Sequence, residues 1–403
     1  MSRIKMKNPI VEIDGDEFAR IIWNWVKDIL IMPHVDLKTE YYDLHIKNRD
    51  NTNDQVTIDA ADAIKKHGVG VKCATITANL DRQKEYNLKD IYKSPNATIR
   101  KILGGTSFRK PIILETIKST VPNWKKPIIV ARHTFGDLYA SLSMEIEAGT
   151  KVEIVLRDEQ NRESRTPFAH FEEDGILLCQ YNLENSIYNF AESCFKYAME
   201  EKLDLLFSAK DTVTKAYDTK FKSIFEELYE TKYREMFAEL GIKYQYSLID
   251  NAIAKILRSE GGIVWACKNY EGDLMSDMVA AGFSSLGLMT SVLISPEGMY
   301  EFEAAHGTIQ DLYYKHLKGE KTSANPTATI FAWTGALRKR GALDGNDDLV
   351  MFAKRLEDTT LLTLNSGFIT EDIFNISTAS NKRICTSEEI IDIIASNLEK
   401  SYK

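Results

Sequence analysis

The segment that most constrains the fold of this chain runs from residue 263 to residue 282. Its first five residues, 263–267, form an apolar run that is short and β-branched enough to predict a buried strand. A polar connection follows, and Asp273 then occupies the position expected of a helix N-cap. A strand that leads through a loop into a helix is typical of open α/β sheets, which bind their ligands at that edge.

Two aspartates of the predicted helix allow two interpretations. Asp273 and Asp277 are four residues apart, so their carboxylates share one helix face. In the first interpretation, one carboxylate caps the helix and the other complements its dipole. In the second, two hard oxygen ligands at the edge of the sheet bind Mg²⁺ or Mn²⁺. This segment alone leaves both interpretations open.

Length, charge and cysteine usage exclude several classes of protein. A chain of 403 residues exceeds one ordinary core, so two or three structural units are expected. The net charge of −8 leaves no basic excess for phosphates, which argues against a nucleic-acid partner. Five cysteines without a CxxC spacing fit reduced thiols in the cytoplasm. No apolar run reaches the length of about 18 residues that a membrane span needs.

Strands and helices alternate along most of the chain, which predicts a largely parallel sheet. The clearest predictions are strands at 9–13, 41–46 and 69–76 and helices at 59–67 and 221–240. From residue 152 to residue 179 the pattern changes to short β-like runs around a charged, turn-like segment at 157–165. We interpret this part as an inserted β element whose exposed strands could pair with a second copy of the chain.

Three arginines upstream stand among small hydroxyl and amide side chains. They are Arg100, Arg109 and Arg132, in a protein that is acidic overall. Arginine binds a carboxylate through two hydrogen bonds and stays charged at every working pH, so this set suits a substrate with several carboxylates. The alternative is that each arginine caps a helix or forms a surface ion pair.

A third informative segment contains the small-residue loop at 306–308, His-Gly-Thr. No GxGxxG motif follows a predicted strand, so the usual dinucleotide fingerprint is absent from the sequence. The backbone N–H groups of a His-Gly-Thr loop can nevertheless approach a phosphate closely. The same residues can also form an ordinary turn.

Together these segments resemble the isocitrate dehydrogenases of the β-decarboxylating dehydrogenase superfamily, in the homodimeric subgroup typified by eukaryotic cytosolic enzymes. The resemblance covers nearly the whole chain and rests on the blocks at 14–17 (DGDE), 50–54 (DNTND), 72–77, 93–100, 132–139, 268–277, 303–308 and 325–326. It implies an α/β fold of the isocitrate/isopropylmalate dehydrogenase type. A large domain would comprise 1–103 and 284–403, a small domain 104–136 and 184–283, and an inserted β clasp 137–183.

The resemblance also implies a reaction, the oxidative decarboxylation of isocitrate to 2-oxoglutarate and CO₂ in a homodimer with shared active sites. The residues implied to bind the substrate carboxylates are Thr77, Ser94, Asn96, Arg100, Arg109 and Arg132. A divalent cation, Mg²⁺ or Mn²⁺, would be held by Asp273, with Asp277 close by, and by Asp250 of the partner subunit. Tyr139 and Lys210, the lysine from the partner subunit, would be the acid–base residues.

The residues implied to bind the cofactor are Lys72, Thr75, Thr77, Arg82, Asn96, Arg258, Glu303, His306, Gly307, Thr308, Ile309, Asp311 and Asn325. In NADP-dependent members of the subgroup, an arginine and a histidine after the His-Gly-Thr loop bind the 2′-phosphate. This chain has Asp311 and Leu312 at those positions. An aspartate repels a phosphate dianion and accepts a hydrogen bond from a free ribose hydroxyl, so we predict an NAD-dependent enzyme.

Two alternatives accompany this prediction. NADP⁺ is the alternative cofactor, because Arg258 and Lys255 would supply cations across the dimer. Isopropylmalate or homoisocitrate is the alternative substrate, although Ser94 and Asn96 favour the γ-carboxylate of isocitrate over an apolar group. A non-catalytic, metal-binding assembly protein with this fold would lack a competent acid–base residue, and none is missing here.

Overall fold

A ten-stranded mixed sheet runs through the computed structural model, which describes residues 3–402. The strands are β1 (Ile4–Lys5), β2 (Ile10–Asp14), β3 (Val35–Asp36), β4 (Thr39–Asp43), β5 (Val69–Lys72), β6 (Thr106–Pro111), β7 (Ile128–His133), β8 (Ser141–Ile146), β9 (Lys151–Arg157), β10 (Glu163–His170), β11 (Gly175–Gln180), β12 (Asp204–Ala209), β13 (Tyr244–Leu248), β14 (Ile263–Cys267), β15 (Met289–Ile294), β16 (Tyr300–Ala304), β17 (Phe368–Ile369) and β18 (Arg383–Ile384).

Helices surround the sheet and follow most of its strands. They are α1 (Glu17–Trp25), α2 (Ile46–Asn51), α3 (Gln55–His67), α4 (Leu80–Tyr86), α5 (Pro95–Leu103), α6 (Glu184–Glu201), α7 (Lys215–Leu228), α8 (Arg234–Leu240), α9 (Ile249–Arg258), α10 (Asn269–Gly282), α11 (Gln310–Leu317), α12 (Thr327–Asp344), α13 (Asp347–Asn365), α14 (Glu371–Phe374) and α15 (Ser387–Lys400). Short π-helical turns, Val26–Ile31 and Tyr229–Tyr233, follow α1 and α7. None of the helices within residues 3–402 is long and apolar enough to cross a membrane.

The ten strands are ordered β13-β12-β14-β7-β6-β15-β16-β5-β2-β4. Strands β13, β12, β14 and β7 form one parallel block, and β16, β5, β2 and β4 form another. Between the blocks, β6 and β15 pair antiparallel to each other and to their neighbours. The predicted α/β fold is confirmed, with an antiparallel centre that the alternation of elements did not predict.

Strand β7 shows how both faces of the sheet are buried. Ile129 and Ala131 pack into a cluster with helices α6 and α7, whereas Ile128 and Val130 pack into a cluster with α9 and α10. Successive side chains of a strand point to opposite faces, so an unbroken apolar strand needs a helical layer on each side. A strand of this kind ends at an edge where loops from both layers meet, and Arg132 lies at that end.

The clasp (137–183) consists of two separate ribbons, β8 with β11 and β9 with β10. The charged segment at 157–165 was predicted as a turn, but β10 already begins at Glu163, which pairs with Arg157. The large apolar side chains that the clasp leaves exposed include Leu142, Met144, Ile154, Val155, Leu156, Phe168, Ile176, Leu178, Tyr181 and Leu183. A two-stranded ribbon is barely stable in water, so these ribbons need a further surface to cover them.

Several other local predictions differ from the structure in their bounds. The strand predicted at 41–46 is β4 (Thr39–Asp43), and the helix predicted at 59–67 already begins at Gln55.

Two further differences have a visible cause. The apolar run at 69–76 forms a strand only over Val69–Lys72. Beyond it, the carboxylate of Asp16 accepts the backbone N–H of Ile76 at 2.8 Å and that of Ile46 at 2.8 Å. The predicted helix at 221–240 is interrupted by the π-helical turn at Tyr229–Tyr233. In the first case, side-chain hydrogen bonds replace the strand pairing that the apolar run predicts. In the second case, a change of helical pitch replaces the regular α-helix.

Candidate active site

The first wall of the candidate site is built by β7, β14 and helix α10. Arg132 at the end of β7 pairs in register with Cys267 at the end of β14, and α10 follows directly. A Cβ added to Gly272 would lie 2.8 Å from the Cβ of Arg132, so the glycine lets α10 lie against β7. This close approach places the polar face of α10 beside the arginine.

Helix α10 begins earlier than predicted, and Asp273 does not cap it. The helix starts at Asn269, which puts Asp273 in its second turn. The backbone N–H of Asn269 donates to the carboxylate of Asp137 at 3.1 Å, and its side chain donates to the carbonyl of Gly136 at 3.0 Å. Because the loop after β7 satisfies the helix N-terminus, the carboxylate of Asp273 is not needed as a cap.

Arg132 is buried and fully surrounded by polar partners. Its guanidinium donates to the side-chain oxygen of Asn269 at 2.8 and 3.0 Å, to the hydroxyl of Tyr139 at 3.1 Å, and to Asp273. Burial lowers the pKa of Arg132, and the positive charge of Arg100 acts in the same direction. An anionic ligand here would therefore compensate charge that the protein alone compensates only in part.

Arg100, on helix α5, reaches the same tyrosine. Its guanidinium donates to the hydroxyl of Tyr139 at 3.1 Å and to Glu303 of β16 at 3.0 Å. Although burial opposes the charge, Glu303 keeps the pKa of Arg100 above its ordinary value. Since two arginines donate to its oxygen, the O–H of Tyr139 stays available to donate to a bound molecule.

The third predicted arginine, on β6, contacts α10 one turn beyond Asp273. Arg109 donates to Ser276 at 2.8 Å and to Asp277 at 2.9 Å, and its Nε atom is buried without a partner. The carboxylates of Asp273 and Asp277 are 44% and 65% exposed, so both face open space beside the arginines. The two acids that were expected on one helix face therefore meet the arginines at that face.

Several predicted site residues have buried polar atoms without a hydrogen-bond partner. Within residues 3–402, eleven buried side-chain nitrogen or oxygen atoms have no hydrogen-bond partner. Five of them belong to predicted site residues, namely Thr75, Asn96, Arg109, His306 and Asn325. Buried polar groups are nearly always hydrogen-bonded, so this concentration indicates a place where a polar ligand completes the bonding.

The His-Gly-Thr loop adds a second wall. The Nδ1 atom of His306 lies 2.8 Å from the carbonyl of Gly307, and burial lowers the pKa of His306, so the imidazole is neutral and its Nε2 is free. Ile309 has a φ of +60° and turns the chain into helix α11. Asp311 follows in the first turn of α11 and is exposed.

Other predicted residues lie around these two walls. Lys72 ends β5 with its ammonium 3.7 Å from Glu303, Thr77 is exposed in the loop after β5, and Ser94 precedes α5. On α5 itself, Asn96 and Arg100 are four residues apart and so share a face.

Three predicted residues are not brought to this site, namely Lys210, Asp250 and, two turns after Asp250 on α9, Arg258. Lys210 and Asp250 form an ion pair with each other at 2.5 Å, with side chains 37% and 57% exposed. Within residues 3–402, no three histidine, cysteine or acidic side chains form a group that could hold a metal. One chain therefore presents the two acids of α10 in one place and Asp250 with Lys210 in another.

Sequence reasoning missed Asn269 and Ser276, which hold Arg132 and Arg109 in place. A spacing pattern does contain them, because Asn269, Asp273, Ser276 and Asp277 recur at intervals of three and four and so share one helix face. The polar face of α10 was visible as a periodicity, but its arginine partners come from distant strands.

Glu301 is a buried carboxyl group behind this network. It shares one face of β16 with Glu303, and its Oε1 atom has no partner. Burial, and then the charge of Glu303, raises the pKa of Glu301 to about 8. The folded protein therefore holds a proton on Glu301 at neutral pH, which the unfolded chain releases.

A Glu301→Gln substitution is expected to change how stability depends on pH. The raised pKa stabilises the fold below the ordinary glutamate range, and this contribution is lost as the pH rises towards about 8. As the pH rises from 5 to 8.5, the free energy of unfolding of the variant should therefore increase by about 2–4 kcal/mol relative to that of the wild type. Urea unfolding at both pH values measures this, with the exposed Glu297→Gln as a control that should show no such trend. A difference in free energy of unfolding between variant and wild type that does not change with pH would contradict the expectation.

Comparison with known proteins agrees with this geometry. The family profile described as Isocitrate/isopropylmalate dehydrogenase matches residues 5–394. "Isocitrate dehydrogenase [NADP], mitochondrial" of Sus scrofa is 48% identical over 406 residues, covering 99% of this chain and 96% of the relative. "Isocitrate dehydrogenase [NADP] 1" of Mycobacterium bovis is 47% identical over 404 residues, covering 99% of this chain and 98% of the relative. The mouse mitochondrial protein of the first name is 47% identical, covering 99% of this chain and 90% of the relative.

These names overturn one prediction. Asp311 and Leu312 predicted an NAD-dependent enzyme, but all three relatives are named for NADP. The prediction of NAD dependence is therefore wrong. A profile that spans almost the whole chain, and relatives nearly half identical to it, place this chain among the isocitrate dehydrogenases of the isocitrate/isopropylmalate dehydrogenase family.

Proposed function

We propose that this protein oxidatively decarboxylates isocitrate to 2-oxoglutarate and CO₂, with NADP⁺ as hydride acceptor and Mg²⁺ or Mn²⁺ as the metal, in a homodimer. The observation that carries the proposal is the meeting of Arg100 and Arg132 at the hydroxyl of Tyr139, beside Asp273. This arrangement combines carboxylate binding, a proton-transfer group and a hard anionic ligand at one place.

The charges fit a tricarboxylate. Arg100, Arg109 and Arg132 converge from three different elements and are each paired with an acid in the absence of substrate. Each guanidinium has five N–H donors in a planar fork, so a substrate carboxylate can bind while part of the existing network stays intact. The amide of Asn96 has an NH₂ group that can donate to a carboxylate, which favours the γ-carboxylate of isocitrate over the apolar γ-group of isopropylmalate.

The acids of α10 fit a divalent cation. Asp273 and Asp277 offer exposed carboxylate oxygens next to the proposed carboxylate site, and Mg²⁺ and Mn²⁺ prefer such ligands. When bound, the cation would polarise the hydroxyl and carboxylate oxygens of isocitrate. Asp250 of the partner subunit would complete the protein ligands, because within one chain it lies with Lys210 instead.

Proton transfer falls to Tyr139 and Lys210. The phenol oxygen of Tyr139 accepts hydrogen bonds from two guanidinium groups, which hold it in place while its own O–H can be donated. Lys210 is partly exposed and would approach the substrate from the partner subunit together with Asp250. Positioned groups of these two types can remove and return the protons that the reaction exchanges.

The cations of α9 support NADP⁺. Lys255 and Arg258 are exposed and line an open cavity of about 450 Å³ with Asn251. They lie one and two turns after Asp250, so in the proposed dimer they would approach the cofactor of the partner site together with that acid. Two cations can bind a 2′-phosphate, whereas Asp311 is exposed and solvent weakens its repulsion.

The test is a paired assay with isocitrate, Mg²⁺ and either NADP⁺ or NAD⁺. We expect reduced cofactor, 2-oxoglutarate and CO₂, with a higher kcat/KM for NADP⁺. Isopropylmalate and homoisocitrate should give little turnover. A Lys255→Gln, Arg258→Gln double variant should raise the KM for NADP⁺ by about tenfold or more and leave the KM for NAD⁺ unchanged.

An exposed lysine distant from α9 supplies the control for this variant. Lys354→Gln removes one positive charge on α13, which packs against α12 and α15, and should change neither KM. A higher kcat/KM with NAD⁺ for the wild-type protein would refute the cofactor proposal, and absence of turnover with both cofactors would refute the proposed function.

A further inference from the structure

We infer that Glu17 is a positioning residue for the dinucleotide, because its buried carboxylate holds Arg82 and Thr308 together. These two residues come from distant parts of the chain and belong to the proposed cofactor site. The inference rests on that proposed function and adds a residue to which sequence reasoning gave no role in the site.

The contacts of Glu17 connect α4 to the His-Gly-Thr loop. Its Oε1 atom lies 2.9 Å from Nη2 of Arg82 on α4 and accepts a hydrogen bond of 3.4 Å from Tyr86. Its Oε2 atom accepts a hydrogen bond from the hydroxyl of Thr308 in the His-Gly-Thr loop. The side chain is only 1% exposed, so these partners are not exchanged for water.

The backbone around Glu17 holds the same loop. The carbonyl of Thr308 accepts a hydrogen bond of 3.1 Å from the N–H of Ala19, in the first turn of α1. Glu17 itself has a φ of +54°, a left-handed conformation that is uncommon for a residue with a Cβ. Such a conformation persists where the surrounding contacts fix it, and here those contacts are the ones that reach the loop.

Helix α4 contains no buried residue, so polar contacts contribute much of what holds it in place. Helix α11 also contains no buried residue, but its partly buried Leu312 and Tyr313 pack against the core. Arg82 also pairs at 2.8 Å with Glu85 of α4 itself, whose carboxylate is 35% exposed. The same carboxylate accepts a hydrogen bond from Tyr314, so Glu85 ties α4 to α11. Of these two acids, only Glu17 joins α4 to the core and to the loop before α11.

The chemistry of the carboxylate explains why a neutral side chain would not replace it. Two oxygens of a carboxylate accept from the guanidinium and from the hydroxyl at once. A glutamine side chain places an NH₂ donor at one of the two oxygen positions, so it cannot accept at both and brings no negative charge to Arg82. The arginine and the loop would then lose their fixed separation.

The test compares Glu17→Gln with Asp81→Asn, which removes an exposed carboxylate from α4, the helix that carries Arg82. We expect Glu17→Gln to raise the KM for NADP⁺ and the dissociation constant for NADPH, read from its fluorescence, by about tenfold. The kcat and the KM for isocitrate should change less than about threefold, because the substrate arginines do not contact Glu17. Asp81→Asn should change NADPH binding by less than about threefold.

A double-mutant cycle separates positioning from general damage. If Glu17 acts through Arg82, Glu17→Gln and Arg82→Gln together should weaken NADPH binding by much less than the product of their separate effects. Independent effects, or a Glu17→Gln variant that binds NADPH within twofold of wild type or raises both KM values equally, would overturn the inference. If wild type binds NADH in place of NADPH, the cofactor proposal fails, and the same cycle with NADH still tests Glu17.

Discussion

Replacing Asp273 with asparagine is expected to reduce kcat/KM for isocitrate by about a thousandfold at saturating Mg²⁺. The substitution removes a negative oxygen where the proposed metal would bind, and polarisation by a metal contributes several kcal/mol to reactions of this type. The fold should survive, because Arg132 keeps both of its hydrogen bonds to Asn269. Steady-state kinetics over a range of Mg²⁺ and Mn²⁺ concentrations measures the effect, and the apparent metal affinity should fall as well.

Two further acids on α10 provide comparison variants for this result. Asp277→Asn should reduce kcat/KM less than Asp273→Asn does, since the carboxylate of Asp277 is more exposed and is expected to act near the metal and not as its main ligand. Glu271→Gln is the matched control, because its carboxylate pairs with Lys268 and touches none of the three arginines. If the kcat/KM of Asp273→Asn for isocitrate is within tenfold of wild type, or no lower than that of Glu271→Gln, the carboxylate serves only to orient Arg132.

The segment from 263 to 282 shows what local sequence can and cannot predict. Its strand was predicted with the bounds that the structure has, because an apolar run buried on both faces carries its own signal. The start of α10 was misplaced because Asp137 and Gly136, more than a hundred residues away, satisfy the first turn. Capping supplied by another element leaves no mark in the helix sequence.

The arginines give the same lesson for the site. Their residue type and number predicted a polycarboxylate site, but their partners did not follow from the sequence. Glu303, for example, lies 203 positions from Arg100, and the ten-stranded sheet brings them to 3.0 Å. Pairing of this kind depends on strand order, and the antiparallel β6 and β15 at the centre of the sheet were not predicted.

The prediction of the cofactor failed for a related reason. The prediction weighed Asp311 and Leu312 in one loop and gave too little weight to Lys255 and Arg258 on α9. Charge at a shared site is the sum over every element that reaches it, including those of a second subunit. Two positions in one loop therefore cannot decide which nucleotide a dimer binds.

Disrupting the clasp is expected to abolish activity without a change in any proposed active-site residue. Ile176 and Leu178 are 73% and 56% exposed on one face of β11. Burying such a side chain is worth about 1.5–3 kcal/mol, and a twofold interface buries each pair twice. An Ile176→Asp, Leu178→Asp double variant should therefore be monomeric by light scattering. Its kcat should fall at least about a hundredfold, because each site loses Lys210 and Asp250 of the partner subunit.

Exposed leucines outside the clasp provide the control. Leu343→Asp with Leu362→Asp changes side chains that are 52% and 69% exposed on α12 and α13, and this variant should stay dimeric and active. A fully active monomeric clasp variant would contradict the shared site. A dimeric clasp variant with normal activity would instead show that the dimer forms through another surface.

Subunit complementation tests the sharing itself. In a heterodimer of an Asp250→Asn chain and an Asp273→Asn chain, one site receives both substitutions and the other receives neither, if Asp250 acts across the interface. Each homodimer should be nearly inactive, while coexpressed chains should recover about a quarter of wild-type activity, since about half of the dimers are mixed and each has one intact site. No recovery would mean that Asp250 and Asp273 serve the same chain. That outcome would be hard to reconcile with the structure, in which Asp250 pairs with Lys210 and no third acid joins Asp273 and Asp277 within residues 3–402.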